Sequence, residues 1–374
     1  MRKLSPDRKK QFTGALLEWN KGNSRQMPWK GEKDPYKIWL SEIILQQTRV
    51  AQGMPYYQRF IGHYPHVALL AAAPEEEVFR LWQGLGYYSR CKNMRAAAQL
   101  ICGKYAGQFP PSYQDLLALP GVGAYTAAAI ASFAFNLPCA VVDGNVQRVL
   151  ARYFGLSLEV SSTEGKKAFA ALAADTLDKK APGIYNQAIM DFGATVCTPR
   201  QPDCRHCPLQ SGCVAFGEDR VAQLPVKNPR KKPRRRYLLY VVSQYQDQFY
   251  LRKRGAGDIW ENLHEFIRHE MESPEQEGQL IERCKRALRR DNEIIRAVLS
   301  PPYTQQLTHQ RIRSRFLYVH VKHALRLKKN EGYFLVGKHA LHHYAFPRLI
   351  TRYLENDPTI AAEMAATGAV GARE

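Results

Sequence analysis

The 374-residue chain has no apolar run approaching the ~20 residues that a membrane-spanning helix needs, so no membrane partner is expected. Its first ten residues, MRKLSPDRKK, hold no apolar signal segment, which points to a cytoplasmic protein. In that compartment its eight cysteines stay reduced or bind metal. Acidic residues are scarce: 34 Asp and Glu stand against 54 Lys and Arg, for a formal charge of +20. Such a surplus says nothing about fold and points to a polyanionic partner. Strand-like alternation is also scarce before residue 217, which excludes a sheet-based first half.

What is present there is helical. Apolar spacing at Ile38, Leu40, Ile43, Ile44 and Val50 predicts an amphipathic helix after Pro35. Further helices are predicted over 66–72, 75–83, 91–104, 113–118, 124–135, 145–155, 164–177 and 183–195, giving an all-α domain over 1–216. Residues 217–236 read as a basic interdomain linker, because Lys227–Arg236 holds seven basic residues and two prolines. Beyond it, 237–243 and 248–252 read as strands around a turn at Gln246-Asp247, 274–290 as helix and 313–321 as strand. This second, α+β domain spans 237–355, and the Ala/Gly-rich 356–374 reads as a flexible tail. The chain is expected to act as a monomer.

Three local patterns carry chemistry. Leu119-Pro-Gly121-Val-Gly123-Ala-Tyr125 reads as a two-glycine turn opening an Ala-rich helix, both glycines free to take positive φ. The uncapped N–H groups of such a helix suit a phosphate. No strand precedes Gly121, so a dinucleotide-binding reading fails. After that helix, Val141-Val-Asp143-Gly-Asn145 places a carboxylate at another helix start. Cys197, Cys204, Cys207 and Cys213 form C-x6-C-x2-C-x5-C. Structural zinc usually takes two short C-x2-C pairs, and only one is short here, so a 4Fe-4S cluster fits better than zinc. Arg200, Arg205 and His206 in that loop could then lie against phosphates.

Together the turn, the acid beyond it and the cysteine loop resemble the helix-hairpin-helix DNA glycosylases of the iron–sulfur branch over residues 1–216. Where endonuclease III-like members carry a lysine that forms a Schiff base, this chain has Tyr125, which cannot. Trp39-Leu-Ser-Glu42-Ile-Ile-Leu-Gln46-Gln47-Thr48 resembles the L-S-E-x-x-L-Q-Q-T segment of the MutY-type adenine glycosylases. That resemblance implies excision of adenine opposite 8-oxoguanine or guanine in duplex DNA, in a nucleoid-associated protein. Breaking an N-glycosidic bond needs an acid for the leaving base and a carboxylate for the oxocarbenium-like sugar. The resemblance assigns the first to Glu42, its pKa raised among apolar neighbours, and the second to an ionised Asp143 aided by Asn145. Whether Asp143 acts covalently or electrostatically stays open. Tyr125 is expected beside the flipped adenine. The adjacent aromatics Tyr87 and Tyr88, on the turn Trp82–Arg90, are expected to contact the duplex, Tyr87 as the ring that wedges into it, with Gln47 near the opposing base.

Residues from 237 resemble the MutT-like (Nudix) domain of that family, Asn262 standing where W-x-G-L motifs carry glycine. The magnesium-binding R-E-x-x-E-E box is missing, so nucleotide hydrolysis is not expected. Leu307-Thr308-His309 is the nearest match to the family's F-S-H lesion-reading loop. Two rival functions remain: an endonuclease III-like glycosylase/lyase acting on oxidised pyrimidines, and a non-catalytic DNA-binding scaffold.

Overall fold

The computed structural model describes residues 5–365 apart from 24, 26, 229–232 and 274–275. It resolves into two compact units, Met1–Ala72 with Lys92–Pro229 and Ala73–Cys91 with Arg230–Glu374. The helices are α1 (Pro6–Gly22), α2 (Pro35–Leu45), α3 (Val50–His63), α4 (Val67–Ala72), α5 (Glu75–Trp82), α6 (Tyr88–Tyr105), α7 (Tyr113–Leu117), α8 (Ala124–Phe135), α9 (Gly144–Phe154), α10 (Thr163–Thr176), α11 (Pro182–Thr195) and α12 (Val214–Gly217). After them come β1 (Arg234–Tyr245), β2 (Gln248–Lys253), β3 (His264–Glu265), β4 (Ile267–Met271), α13 (Glu277–Asp291), β5 (Ile294–Leu299), β6 (Tyr303–Gln306), β7 (Gln310–Val321), β8 (Phe334–Gly337), α14 (Arg348–Asn356) and α15 (Pro358–Ala365).

In the first unit, side-chain caps set the helix starts. Asp34 accepts from the Tyr36 N–H at 2.9 Å with Pro35 in the first turn, and Ser162 accepts from Gly165 at 2.9 Å. Helix α2 is buried on nearly every side from Tyr36 to Ile44, as expected of an apolar helix inside a domain. It packs on α8, whose buried residues Ala127, Ala128, Ala129 and Ala131 keep that approach close. Phe12, Leu16, Val149, Leu150, Phe169, Leu172, Ile189 and Phe192 form the adjoining core. Each such side chain contributes roughly 1.5–3 kcal/mol of transfer free energy.

Two predicted segments differ here. The helix expected to run from Ile38 through Val50 stops at Leu45, because Gln46 leaves helical geometry and Gln47 takes the left-handed φ of 55°. A new helix, α3, starts at Val50. Gly53 and Pro55 lower its helix propensity and hid it in the sequence, but buried Tyr57 and Phe60 override them. The hairpin between α7 and α8 also departs in part. Gly121 has φ of 73°, but Gly123 is extended (φ −90°, ψ 177°) and serves as the N-cap of α8.

The second unit centres on a mixed sheet of order β3-β2-β1-β7-β5, with β4 on β1, β6 on β7 and β8 on β2. Strands β1 and β7 run parallel from Arg234↔Gln310 to Tyr245↔Val321. Leu239, Val241, Leu317 and Val319 pack with Leu280, Ile281 and Cys284 of α13. Phe316 stacks at 4.0 Å on Tyr353 of α14 and at 5.3 Å on Tyr240. The β1–β2 turn falls at Gln246-Asp247, with Gln246 at φ 52°. Asn262 has φ 66°, a conformation asparagine tolerates better than most residues, which accounts for its standing at a glycine position.

The predicted linker is shorter than 217–236. Residues 221–226 fold onto the helical unit: Arg152 Nε donates to the carbonyls of Val221 and Leu224, Leu224 is buried, and Val226 C=O accepts from Val160 N–H. At its other end Arg234–Arg236 already pair in β1, because β7 offers a parallel partner there. Part of the basic run, 229–232, lies outside the described residues. The predicted flexible tail is likewise shorter: α15 is helical, with Ile360 buried and Glu363 ion-paired to Arg296 at 2.7 Å. Residues 366–374 lie outside the described residues.

Gly121 and Gly123 should respond differently to alanine. A Cβ at Gly121 would sit 2.7 Å from Asn93 Cβ at a φ that L residues disfavour, so Gly121→Ala should cost about 1–3 kcal/mol in denaturant unfolding. Gly123 faces open space, and its substitution should cost less than about 1 kcal/mol. Equal losses would contradict this account of the hairpin.

Candidate active site

A cavity of about 640 Å³ opens in the helical unit, lined by Glu42, Gln46 and Gln47 from the end of α2, Tyr125 from the first turn of α8, and Asp143 and Asn145 from the start of α9. Residues far apart in sequence converge because α2 packs on α8 and α9 packs on α11. Gly193 permits the second contact; a Cβ there would meet Asn145 Cβ at 2.7 Å.

Glu42 is only 8% exposed. Burial pushes its carboxyl up to about 7, opposed by a hydrogen bond from Tyr125 and reinforced by the nearby Asp143 charge. Tyr125 is itself raised well above its ordinary pKa by burial and by both acids, so it stays a neutral phenol. Its hydroxyl also lies 4.0 Å from the Met190 sulfur.

Asp143 is the N-cap of α9, its Oδ1 accepting from the N–H groups of Asn145 (2.8 Å) and Val146 (2.7 Å). Its Oδ2 accepts from Asn145 Nδ2 at 2.9 Å. The sequence led us to expect these donors to hold its pKa down. Instead burial outweighs the hydrogen bonds and Arg148, and the net direction is upward. Arg148 ties this cap to the cysteine loop: it donates to Asn145 Oδ1 (2.8 Å), to Gly193 C=O (2.6 Å) and, through Nε, to Cys197 C=O (2.6 Å).

Several cavity residues were missed in the sequence. Asp191, 1% exposed, pairs with Lys30 Nζ at 2.7 Å and Arg25 Nη1 at 3.8 Å, and accepts from Gln187 Nε2 at 3.1 Å. Trp29 lines the same space. A lone acid inside the apolar 183–195 helix was the available signal. Gln46, which entered only as part of the Q-Q-T segment, donates through Nε2 to Thr126 Oγ1 at 3.3 Å.

Elsewhere, Gly121 and Gly123 are exposed on the hairpin, and no side chain caps the first turn of α8. Tyr87, in the second unit, is 44% exposed with a left-handed φ of 47°. Its neighbour Tyr88, grouped with it as a DNA contact, is instead turned inward: it is 7% exposed, stacks on Phe79 at 6.3 Å and accepts from Gly84 N–H. Thr308 and His309 are exposed at the β6–β7 turn.

Cys197, Cys204, Cys207 and Cys213 are half-buried free thiols that influence one another electrostatically. Among the described residues no three His, Cys, Asp or Glu side chains gather as one metal ion would require. The sulfurs nevertheless have donors suited to thiolates. Backbone N–H groups of Leu209 reach Cys207 and those of Phe216 and Ala215 reach Cys213, while Arg152 Nη1 lies 3.4 Å from Cys197 Sγ.

Among the described residues no helix is long and apolar enough to cross a membrane. Residues 40–173 match the HhH-GPD superfamily of base excision DNA repair proteins, and residues 238–356 match the NUDIX domain family. A helix-hairpin-helix repair domain followed by a NUDIX domain defines the class of protein. The adenine DNA glycosylase of Buchnera aphidicola subsp. Schizaphis graminum is 36% identical over 253 residues, covering 67% of this chain and 73% of the relative. The Homo sapiens adenine DNA glycosylase is 42% identical over 213 residues, 54% of this chain and 39% of that protein. A solved thermostable thymine-DNA glycosylase covers 57% of this chain and 98% of its own, with 30% identity and a TM-score of 0.53. The chain belongs to the adenine DNA glycosylase family.

Glu42 holds its proton up to about pH 7 when folded, against 4.5 as the ordinary value. The folded state thus binds more protons across that window, and stability falls as pH rises from 4.5 toward 7. Glu42→Gln removes the charge, so it should gain up to about 3 kcal/mol over the parent at pH 8 and little at pH 4.5. Denaturant titrations at both pH values check this; a difference independent of pH contradicts it.

Proposed function

We propose that the chain is a monofunctional hydrolase that excises adenine mispaired with 8-oxoguanine or guanine from duplex DNA. The observation that carries this reading is a buried carboxyl with a pKa near 7, Glu42, sharing one cavity with a second carboxyl, Asp143, and a neutral phenol, Tyr125.

Adenine reaches such a cavity only by leaving the stack. The Trp29 ring offers the flipped base a stacking face, and Lys30, Gln187 and Asp191 offer donors and acceptors to its edge. Protonated Glu42 delivers a proton to the base as the glycosidic bond lengthens. Asp143, held by Asn145, stabilises the sugar cation or bonds to it, and the Glu42 carboxylate then activates water. Tyr125 has no amine, so no Schiff base forms at this position and the strand stays intact.

Outside the cavity, the uncapped first turn of α8 behind Gly121 and Gly123 receives a backbone phosphate. Gln47, at the cavity, lies near the opposing base, Tyr87 wedges into the duplex, and Thr308 with His309 reads the oxidised guanine. Cys197, Cys204, Cys207 and Cys213 would hold a 4Fe-4S cluster, which supplies structural rigidity to a loop bearing Arg200, Arg205 and His206.

Single-turnover assays on duplexes with A opposite 8-oxoguanine, A opposite G and thymine glycol opposite A test the reading. Adenine should leave the first two, the third should stay intact, and borohydride should trap no adduct. Asp143→Asn and Glu42→Gln should each lower adenine release by at least about 10²–10⁴-fold while mispair binding persists. Cleavage of the third duplex alone, or near-parental release by either variant, would overturn it.

A further inference from the structure

Two exposed segments of the second unit meet at a side-chain hydrogen bond. The Tyr87 hydroxyl lies 2.5 Å from Thr308 Oγ1, although 221 residues separate them in sequence. Each segment is held firmly on its own side. In the turn before α6, Trp82 Nε1 donates to Gly86 C=O at 3.0 Å and Arg90 N–H donates to Tyr87 C=O at 2.9 Å. The Arg90 guanidinium lies 5.5 Å from the Tyr87 ring centroid, a cation–π distance. At the β6–β7 turn, Leu307 N–H donates to Gln310 C=O at 2.8 Å, and His309 C=O accepts from Arg234 N–H at 2.9 Å.

The chain around Tyr87 also docks within the same unit. Glu75 of α5 pairs with Lys253 at 2.7 Å, and Gln83 Nε2 donates to Thr351 Oγ1 at 3.0 Å. Tyr87 is therefore fixed at three points: a left-handed backbone, a cation below its ring and a hydroxyl partner at its tip. An exposed aromatic held this way in the absence of DNA has already lost most of the rotamer freedom that inserting into a duplex would otherwise remove.

From this geometry we propose that Tyr87 and Thr308 form one pre-assembled reading element, in which Thr308 acts as a positioning residue for the Tyr87 ring. Threonine suits this role beyond its hydroxyl, because its branched Cβ restricts χ1 and keeps Oγ1 aimed at the ring. The proposal rests on the reading of Tyr87 as the wedge. It adds that Thr308 acts on the duplex through Tyr87 rather than only through its own contact with the lesion.

A double-mutant cycle on the full-length protein tests the coupling, with Thr308→Val and Tyr87→Phe each removing one hydroxyl at nearly constant volume. The readout is the Kd for a duplex carrying 2′-fluoro-2′-deoxyadenosine, which resists excision, opposite 8-oxoguanine. Each single variant should weaken binding about fivefold, the value of one exposed hydrogen bond, and the double variant should lose no more than either single one. Thr308→Ser should restore part of the loss. In the DNA-free protein, Thr308→Val should raise amide exchange over residues 84–90 with the unfolding midpoint unchanged.

Losses that multiply to about 25-fold in the double variant would overturn the coupling. So would unchanged binding in both single variants, or unchanged exchange over 84–90. The parent protein on a cleavable adenine duplex separates this from the functional reading. Absence of adenine release there overturns the glycosylase assignment and leaves the binding cycle to decide the Tyr87–Thr308 coupling by itself.

Discussion

Withdrawing a carboxyl group from water next to a second carboxyl is the constraint on which this site depends. Glu42 and Asp143 both have their pKa values raised by burial, because each ionised carboxylate would be better stabilised in solvent. The fold accepts that cost because α2 is buried on nearly every side and brings Glu42 inward with its apolar neighbours. Tyr125 moderates it by hydrogen-bonding to one acid, and Asn145 by donating to the other. The two acids are thereby separated in character. Glu42 has burial with one phenolic donor, whereas Asp143 has three donors of its own and Arg148 beyond them.

That difference is built by helix termini. Asp143 caps α9 with the same two N–H contacts that any capping aspartate makes, so a structural device doubles as the setting of a site. Arg148, one turn further along α9, links Asn145 to the backbone of Gly193 and Cys197. The cysteine loop and the acid thus share one guanidinium, and disorder in that loop has a direct structural path to the donors around Asp143. In the second unit, Tyr87 shows the same economy, its position set by a turn, a cation and a distant hydroxyl.

What the sequence offered for the site came through the family resemblance, which singled out Glu42, Asp143 and Tyr125 together. Taken one at a time, a Glu in an apolar helix, an Asp before Gly-Asn and a phenol at a turn read as ordinary structural residues. What escaped was tertiary. Periodicity merged α2 with α3, since nothing local announces that Gln47 turns left-handed. Tyr88 looks identical to Tyr87 in sequence, and only packing on Phe79 turns it inward. The basic run read as linker contains Arg234–Arg236, which become strand because β7 is available to pair. Asp191 and Lys30 lie 161 residues apart, and no spacing rule links such a pair.

The central claim is that burial keeps Glu42 protonated near neutrality while the Tyr125 hydrogen bond limits how far its pKa rises. The direct measurement is the pH dependence of single-turnover adenine release from an A:8-oxoguanine duplex, for the parent and for Tyr125→Phe. The account predicts that release by the parent falls as pH rises through about 7, and that the falling limb moves to higher pH in Tyr125→Phe whatever its absolute rate. A limb near the ordinary carboxylate value of 4.5, or one unmoved by the loss of the phenol, would contradict it.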